Sequence, residues 1–142
     1  MNDVAVLSGR ILLAAIFLWS GYGTASGVSE LAKYLGTLGI PLPLVAAPLV
    51  LAWESLGGLG VLLGLFTRTS ALALAAFCLV TAVMVHYHPE KMNDMIQFMK
   101  NLAMAGGCLF LAAYGGGRWS VDRQLSAKWP KKWAQATPSS KA

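Results

Sequence analysis

Charge is what this sequence has least of. Asp, Glu, Lys and Arg make up 12% of its 142 residues, about half the share of a soluble domain. A globule solvated by water on all sides needs more. Cysteine is scarce as well: there are only Cys78 and Cys108, neither in a CxxC pair and both in apolar stretches. That excludes a disulfide framework and a thiolate zinc site. It leaves two small apolar fillers or, if their stretches face each other, a thiol pair. Alternation at period two is missing, which argues against a membrane β-barrel. No Gly-rich phosphate loop follows a strand pattern, no zinc-ligand spacing occurs, and no Ser-His-Asp set can be assembled. The two histidines are His86 and His88. At i, i+2 they point apart on a helix and could share an ion only across an extended turn. The expectation is no metal, and no haem, whose histidines would have to lie within the apolar stretches.

What the chain has in abundance is apolar length. Hydrophobic residues make up 56% of it and gather in four segments, Val4–Tyr22, Leu44–Leu65, Ser70–Val85 and Met95–Tyr114. At a rise of about 1.5 Å per residue these approach the roughly 30 Å hydrocarbon core of a bilayer, the shorter ones with the help of their flanks. Backbone polar groups must be satisfied within each segment there, so the spans are helices. Between the first two, Ser29–Ile40 places Leu31, Tyr34, Leu35 and Leu38 at i, i+3, i+4 and i+7. That is a short amphipathic helix for the outer bilayer surface, stopped by Pro41 and Pro43. The fold reading is all-α: an integral membrane four-helix bundle with a short interfacial helix in the first external connector. Residues 1–123 form the membrane domain and 124–142 a basic cytoplasmic tail.

The run Gly115-Gly116-Gly117 breaks the last span. Beyond it, Trp129-Pro130-Lys131-Lys132-Trp133 should touch lipid headgroups or stay disordered. The first segment fits a cleaved signal peptide only loosely, because Asp3 cancels Arg10 ahead of Ile11–Trp19; it reads as a retained span.

The formal net charge of +5 is unevenly spread. From Arg118 onward six basic residues face one acid, Asp122, and Arg68 stands alone between the second and third spans. The other two connectors balance Lys33 against Glu30, and Lys91 against Glu90 and Asp94. The positive-inside rule then puts both termini and Arg68 in the cytoplasm. The basic balance suits membrane lipids with anionic headgroups rather than nucleic acid.

Three charges lie inside or at the edge of spans: Arg10, Glu54 and Lys100. Each costs about 2.5–3.5 kcal/mol or more at the centre of a bilayer, so each should face a partner or a wet cavity. Glu54 shares a helical face with Gly57, Gly58 and Val61, a small-residue face for close packing. In the last span Lys100, Ala103, Met104 and Gly107 share the face expected to look inward, with Asn101, Ala105 and Cys108 on the next stripe. In depth Glu54 lies between the two cations. The expectation is a Glu54–Arg10 pair, with Lys100 as competing or additional partner unless it snorkels outward. Such a pair is either a structural lock or a binding and proton-handling site. Asn101 is expected to donate a hydrogen bond across helices rather than to act in catalysis.

Several ordered motifs resemble the DoxX family of small four-helix membrane proteins. They are Gly9-Arg10 with Ser20-Gly21-Tyr22-Gly23, Gly39-Ile-Pro-Leu-Pro43, and Glu54-Ser-Leu-Gly-Gly58 running to Leu63-Gly64-Leu-Phe-Thr67-Arg68. Phe98-Met-Lys100-Asn101 through Gly107, and Gly117-Arg118-Trp-Ser120-Val-Asp122, complete the set. The likeness covers about residues 4–123. It implies a bacterial inner (plasma) membrane protein near membrane redox chemistry, since the family is named for a quinol oxidase subunit and has relatives in thiosulfate:quinone oxidoreductases. The function it implies is an accessory or quinone-facing subunit, with a redox partner protein to carry the cofactor. The alternative is a lipid or small-molecule binding or transport protein acting as a homo-oligomer, or a scaffold without catalysis. In the first case His86 could serve proton exchange at a quinone site. One departure stands out: Thr24 occupies the position where many members have lysine after Ser-Gly-x-Gly.

Overall fold

The structure, a computed structural model, describes residues 3–128. The Trp129–Trp133 stretch lies outside the described residues. Helix α1 (Asp3–Ser26) leads into α2 (Val28–Thr37), and α3 (Pro43–Leu63), α4 (Thr67–Val85), α5 (Met92–Tyr114) and α6 (Val121–Lys128) follow. Helices α1, α3, α4 and α5 are long and apolar enough to cross a membrane. Among the described residues there is no strand. Four antiparallel spans bring the start of α1, the α3–α4 turn and the end of α5 to one end of the bundle. The α2 end holds the other connectors.

Small side chains let the spans close on each other. The core is Ala14, Ala71, Ala75, Ala82, Ala105, Cys78 and Cys108, with Phe17, Leu74 and Val61 as its larger members. At Gly57 the approach of α3 to α4 is so close that a Cβ would stand 2.7 Å from Leu74 Cδ2. Without a hydrophobic drive between helices in lipid, this backbone proximity is what supplies packing energy. Leu12, Leu56, Val83 and Phe110 stand largely exposed, as lipid-facing side chains do. The helices pair mainly as α4 with α5 and α1 with α3, while α3 joins the two pairs and α1 meets α5 only lightly.

The sequence motif for α2 is confirmed with a more specific placement. Its apolar face does not simply rest on the bilayer surface: Ala32 and Leu35 bury against Ala47 of α3, with Leu31 and Ile40 at the edges. The amphipathic helix thus becomes a cover on the bundle's end.

The terminal end is held by a network that the sequence motifs spell out in pieces. Gly64 ends α3 in the left-handed region (φ 69°), and its C=O accepts the N–H of Asp122 at 2.9 Å. A side chain at Gly64 would collide with Arg10 and Ser120. Asp122 in turn accepts the backbone N–H groups of Phe66 and Thr67, both at 2.8 Å, and the Thr67 hydroxyl at 2.7 Å. It caps the N-terminus of α4 from more than fifty residues away in sequence. Phe66 sits at φ 47°, a conformation that costs about 1–3 kcal/mol for such a residue and persists because these bonds hold it.

Candidate functional site

Arg10 and Glu54 occupy separate sites, which corrects the expected pair. Arg10 is 1% exposed and spends its guanidinium on backbone carbonyls. Nε donates to Val61 O at 2.9 Å, Nη2 to Leu62 O at 2.5 Å, and Nη1 to Gly116 O at 2.9 Å and Trp119 O at 3.3 Å. The last carbonyls of a helix have no intrahelical partner. Arg10 fills that need for the end of α3 and ties it to the turn after α5. Its planar fork suits several acceptors at once. Asp122 supplies the opposite charge nearby, and Arg10 helps hold it ionised. Burial acts to raise the Asp122 carboxyl, but the Thr67 and Phe66 bonds and the Arg10 charge outweigh it and hold it below its usual range.

Glu54 lies toward the other end, 8% exposed, on α3. At about 1.5 Å per residue, the ten residues from Arg10 to Ser20 separate the two sites by roughly 15 Å. The Ser20 hydroxyl lies 2.9 Å from one carboxylate oxygen and 3.1 Å from the other. Ser20 and Glu54 meet because α1 and α3 pack closely over their length, with Gly58 seated against Phe17 and Leu18 one turn along. Among the described residues the ion pairs are Lys33–Glu30 and His88–Glu90, so no cation pairs with Glu54.

Glu54 lines a cavity of about 300 Å³. Its polar groups come from every helix of the bundle and from the cover: Ser20 and Thr24 of α1, Tyr34 of α2, Thr81 of α4, Asn101 of α5, and His86 just beyond α4. Phe17, Leu35, Phe77 and Met104 make apolar walls. Thr81 Oγ1 bonds Asn101 Oδ1 at 3.2 Å, and Asn101 Nδ2 donates to Gln97 O at 3.0 Å. Asn101 therefore does bond across helices, as acceptor rather than donor. Thr24, the position of the expected lysine, lines this same cavity one turn from Ser20. The imidazole of His86 is held below its usual range, first by burial; Asp94 opposes the shift, and Lys100 and His88 reinforce it.

Lys100 corrects a second expectation. It is exposed, as is Ala103, and the inward stripe of α5 is Asn101, Ala105 and Cys108. The helix is turned by one residue relative to the expectation. That puts the amide on Thr81 and leaves the long cationic side chain free to reach the polar end, the snorkelling arrangement. His88 lies 3.6 Å from Glu90, away from the cavity lining. Among the described residues, no three His, Cys, Asp or Glu side chains gather where an ion could be held. Cys78 and Cys108 are free and buried in the core.

Ser20, Tyr34 and Thr81 are polar cavity residues that sequence reasoning did not single out as candidates. Thr81 carried a signal, being a hydroxyl in the otherwise apolar run Ala76–Val85. Ser20 stood in a motif, but only the packing of α1 on α3 shows that it bonds Glu54.

Comparison with known proteins identifies relatives of the chain. The chain is 40% identical over 129 residues to Inner membrane protein YqjF of Escherichia coli (strain K12), covering 91% of this chain and 98% of that relative. It is 34% identical over 128 residues to Inner membrane protein YphA of the same organism, covering 87% of this chain and 91% of that relative. No solved structure matches significantly. The DoxX family model matches residues 5–87, which hold Arg10, Ser20 and Glu54. With four apolar helices, the motif order and these relatives in agreement, the chain belongs to the DoxX family.

Proposed function

We propose that this inner-membrane protein is a quinone-facing accessory subunit of a membrane redox complex, and that the Glu54 cavity receives the quinone headgroup. The observation that carries the reading is the buried carboxylate itself. Glu54 sits within a span, bonded to one serine hydroxyl and, among the described residues, paired with no cation, on the wall of a cavity. An ionisable group kept at that depth without a counter-ion is a functional-site hypothesis by default. The cavity is at the small end of the range of ligand sites, about 300–1,000 Å³, which suits a single ring.

The lining matches what a quinone ring requires. Tyr34, Thr24 and His86 offer donors to its carbonyl oxygens, Glu54 accepts from a quinol hydroxyl, and Phe17 and Phe77 offer faces to its ring. Proton exchange fits Glu54 and His86. Electrons would pass to a partner protein that carries a redox cofactor, because the sequence offers no motif for one. The second reading, a lipid or small-molecule binding or transport protein, draws support from the apolar share of the walls.

Purification in mild detergent, followed by an absorbance spectrum and extraction of bound lipids, separates the two. A copurified quinone or redox protein, depleted in Glu54→Gln, supports the first reading. A specific lipid or solute without any redox component overturns it in favour of the second.

A further inference from the structure

A second cavity lies on the same seam of the bundle as the Glu54 cavity. Also about 300 Å³, it is lined only by the first half of α1 and the last half of α5, with the start of the turn beyond. Its walls are Gly9 and Leu13 on one side and Gly107, Phe110, Leu111 and Tyr114 on the other. These positions continue the Glu54 cavity's lining without a break in phase. On α1 the residues Val6, Gly9, Leu13, Phe17 and Ser20 follow one another at i+3 or i+4, and on α5 Asn101, Met104, Gly107, Leu111 and Tyr114 do the same. Residues so spaced form one helical face.

This seam is also where the spans touch least, since α1 and α5 meet lightly while the other neighbouring pairs pack closely. The two cavities are divided where Leu13 lies over Gly107, close enough that a Cβ on that glycine would stand 3.1 Å from Leu13 Cδ2. A leucine side chain is a movable divider in a way that a packed backbone is not.

We infer that the α1–α5 seam holds the hydrocarbon tail of an amphiphile whose headgroup occupies the Glu54 cavity, so that the ligand is a long-chain lipid-soluble molecule rather than a small solute. The inference rests on the Glu54 reading for the headgroup and adds the tail. From Ser20 to Gly9 the seam runs about 16 Å along α1. Headgroup and tail share that length, which equals about 13 bonds of an extended chain, taking three bonds per 3.8 Å. The chemistry changes along it as an amphiphile's does. Hydroxyls, an amide and a carboxylate line one end, and beyond Leu13 the walls are aliphatic and aromatic apart from Arg10, whose guanidinium is already committed to carbonyls.

Gly9→Leu tests the tail. A Cβ there meets nothing within 4 Å, so the new side chain projects into the groove without disturbing the fold. Gly106→Leu is the control: its Cβ also meets nothing within 4 Å, and it does not line the groove. The probes are a methoxy-substituted benzoquinol, kept reduced, with a decyl tail and the same ring without one, titrated against the full chain in detergent. Gly9→Leu should weaken the decyl probe about tenfold, because the leucine side chain takes up groove space and the ten tail carbons lose close contacts there. It should leave the tail-less ring unchanged, and Gly106→Leu should change neither. Equal affinity of Gly9→Leu and wild type for the decyl probe overturns the tail site. Glu54→Gln should weaken both probes, so a failure there strikes the headgroup reading alone. If the wild type binds neither probe, the quinone reading falls. The seam is then judged by the lipids retained through purification, which Gly9→Leu should deplete relative to Gly106→Leu. Equal retention would overturn it.

Discussion

Replacing Arg10 by leucine should unfasten one end of the bundle and leave the other untouched. The guanidinium donates to four carbonyls, three of them at 2.9 Å or closer. Each buried carbonyl that loses its donor costs about 1–3 kcal/mol. The three short bonds therefore set a floor near 3 kcal/mol, and water entering at this open end keeps the total to about 3–5 kcal/mol. On the scale of a water-soluble domain of this size, that is a fall of roughly 10–15 °C in Tm at about 3 °C per kcal/mol. Arg10→Lys should recover less than half, since a single ammonium cannot present a fork to carbonyls from both α3 and the turn beyond α5. The assay is thermal unfolding in detergent for Arg10→Leu, Glu54→Gln, Asp122→Asn and the pairwise combinations. Arg10 and Asp122 belong to one network and should couple by about 0.5–3 kcal/mol. Arg10 and Glu54, some 15 Å apart along α1, should add to within about 0.5 kcal/mol. Strong coupling of Arg10 with Glu54, or a change below about 1 kcal/mol for Arg10→Leu, would refute this division of the molecule.

Three further outcomes are expected. Cysteine labelling from outside the cell should tag a probe at Lys33 and miss one at Arg68, because the positive-inside rule puts the Arg68 end in the cytoplasm; the reverse pattern would invert the topology. Asp122 is held below its usual range in the folded chain. Its contribution to stability is therefore complete above the unfolded value of 3.8 and is lost as pH falls through the lower folded value. Acid titration of Tm should show a loss there that Asp122→Asn removes. Asn101→Leu breaks the bond from Thr81 and should cost about 0.6–1.7 kcal/mol, the range of interhelical hydrogen bonds in lipid, read from the same unfolding curves.

Much of this architecture is legible in the sequence, and the exceptions share a cause. Apolar length gives the four spans to within a few residues, the 3.6-residue period gives α2, and the glycine run gives the end of α5. The small-residue face of α3 correctly turns Glu54 inward. The partner of Arg10 was not legible, because backbone carbonyls are acceptors that every residue carries; charge pattern suggests a carboxylate and cannot show unsatisfied helix ends. Lys100 failed for a different reason. Both candidate stripes of α5 carry small residues, so the pattern alone does not decide between faces one residue apart; the bond from Thr81 to Asn101 does. Asp122 as a cap for α4 depends on a contact between residues more than fifty positions apart, which no local motif encodes. At the Glu54 cavity, sequence named Glu54, Asn101 and His86 and marked Thr24 as a departure, and the fold added Ser20, Tyr34 and Thr81.

The central claim is that one end of the bundle holds it together and the other end binds. Glu54→Gln tests this most directly, because the amide keeps the shape of the side chain and an oxygen for the Ser20 hydroxyl while removing the ionisable group. Tm and affinity for the decyl-tailed quinol, measured on one preparation, should separate: Tm within a few degrees of wild type, binding reduced at least about tenfold, from the loss of a charged hydrogen bond of about 1.5–3 kcal/mol to the quinol hydroxyl. A variant that unfolds as readily as Arg10→Leu, or one that binds as tightly as the wild type, would contradict the account.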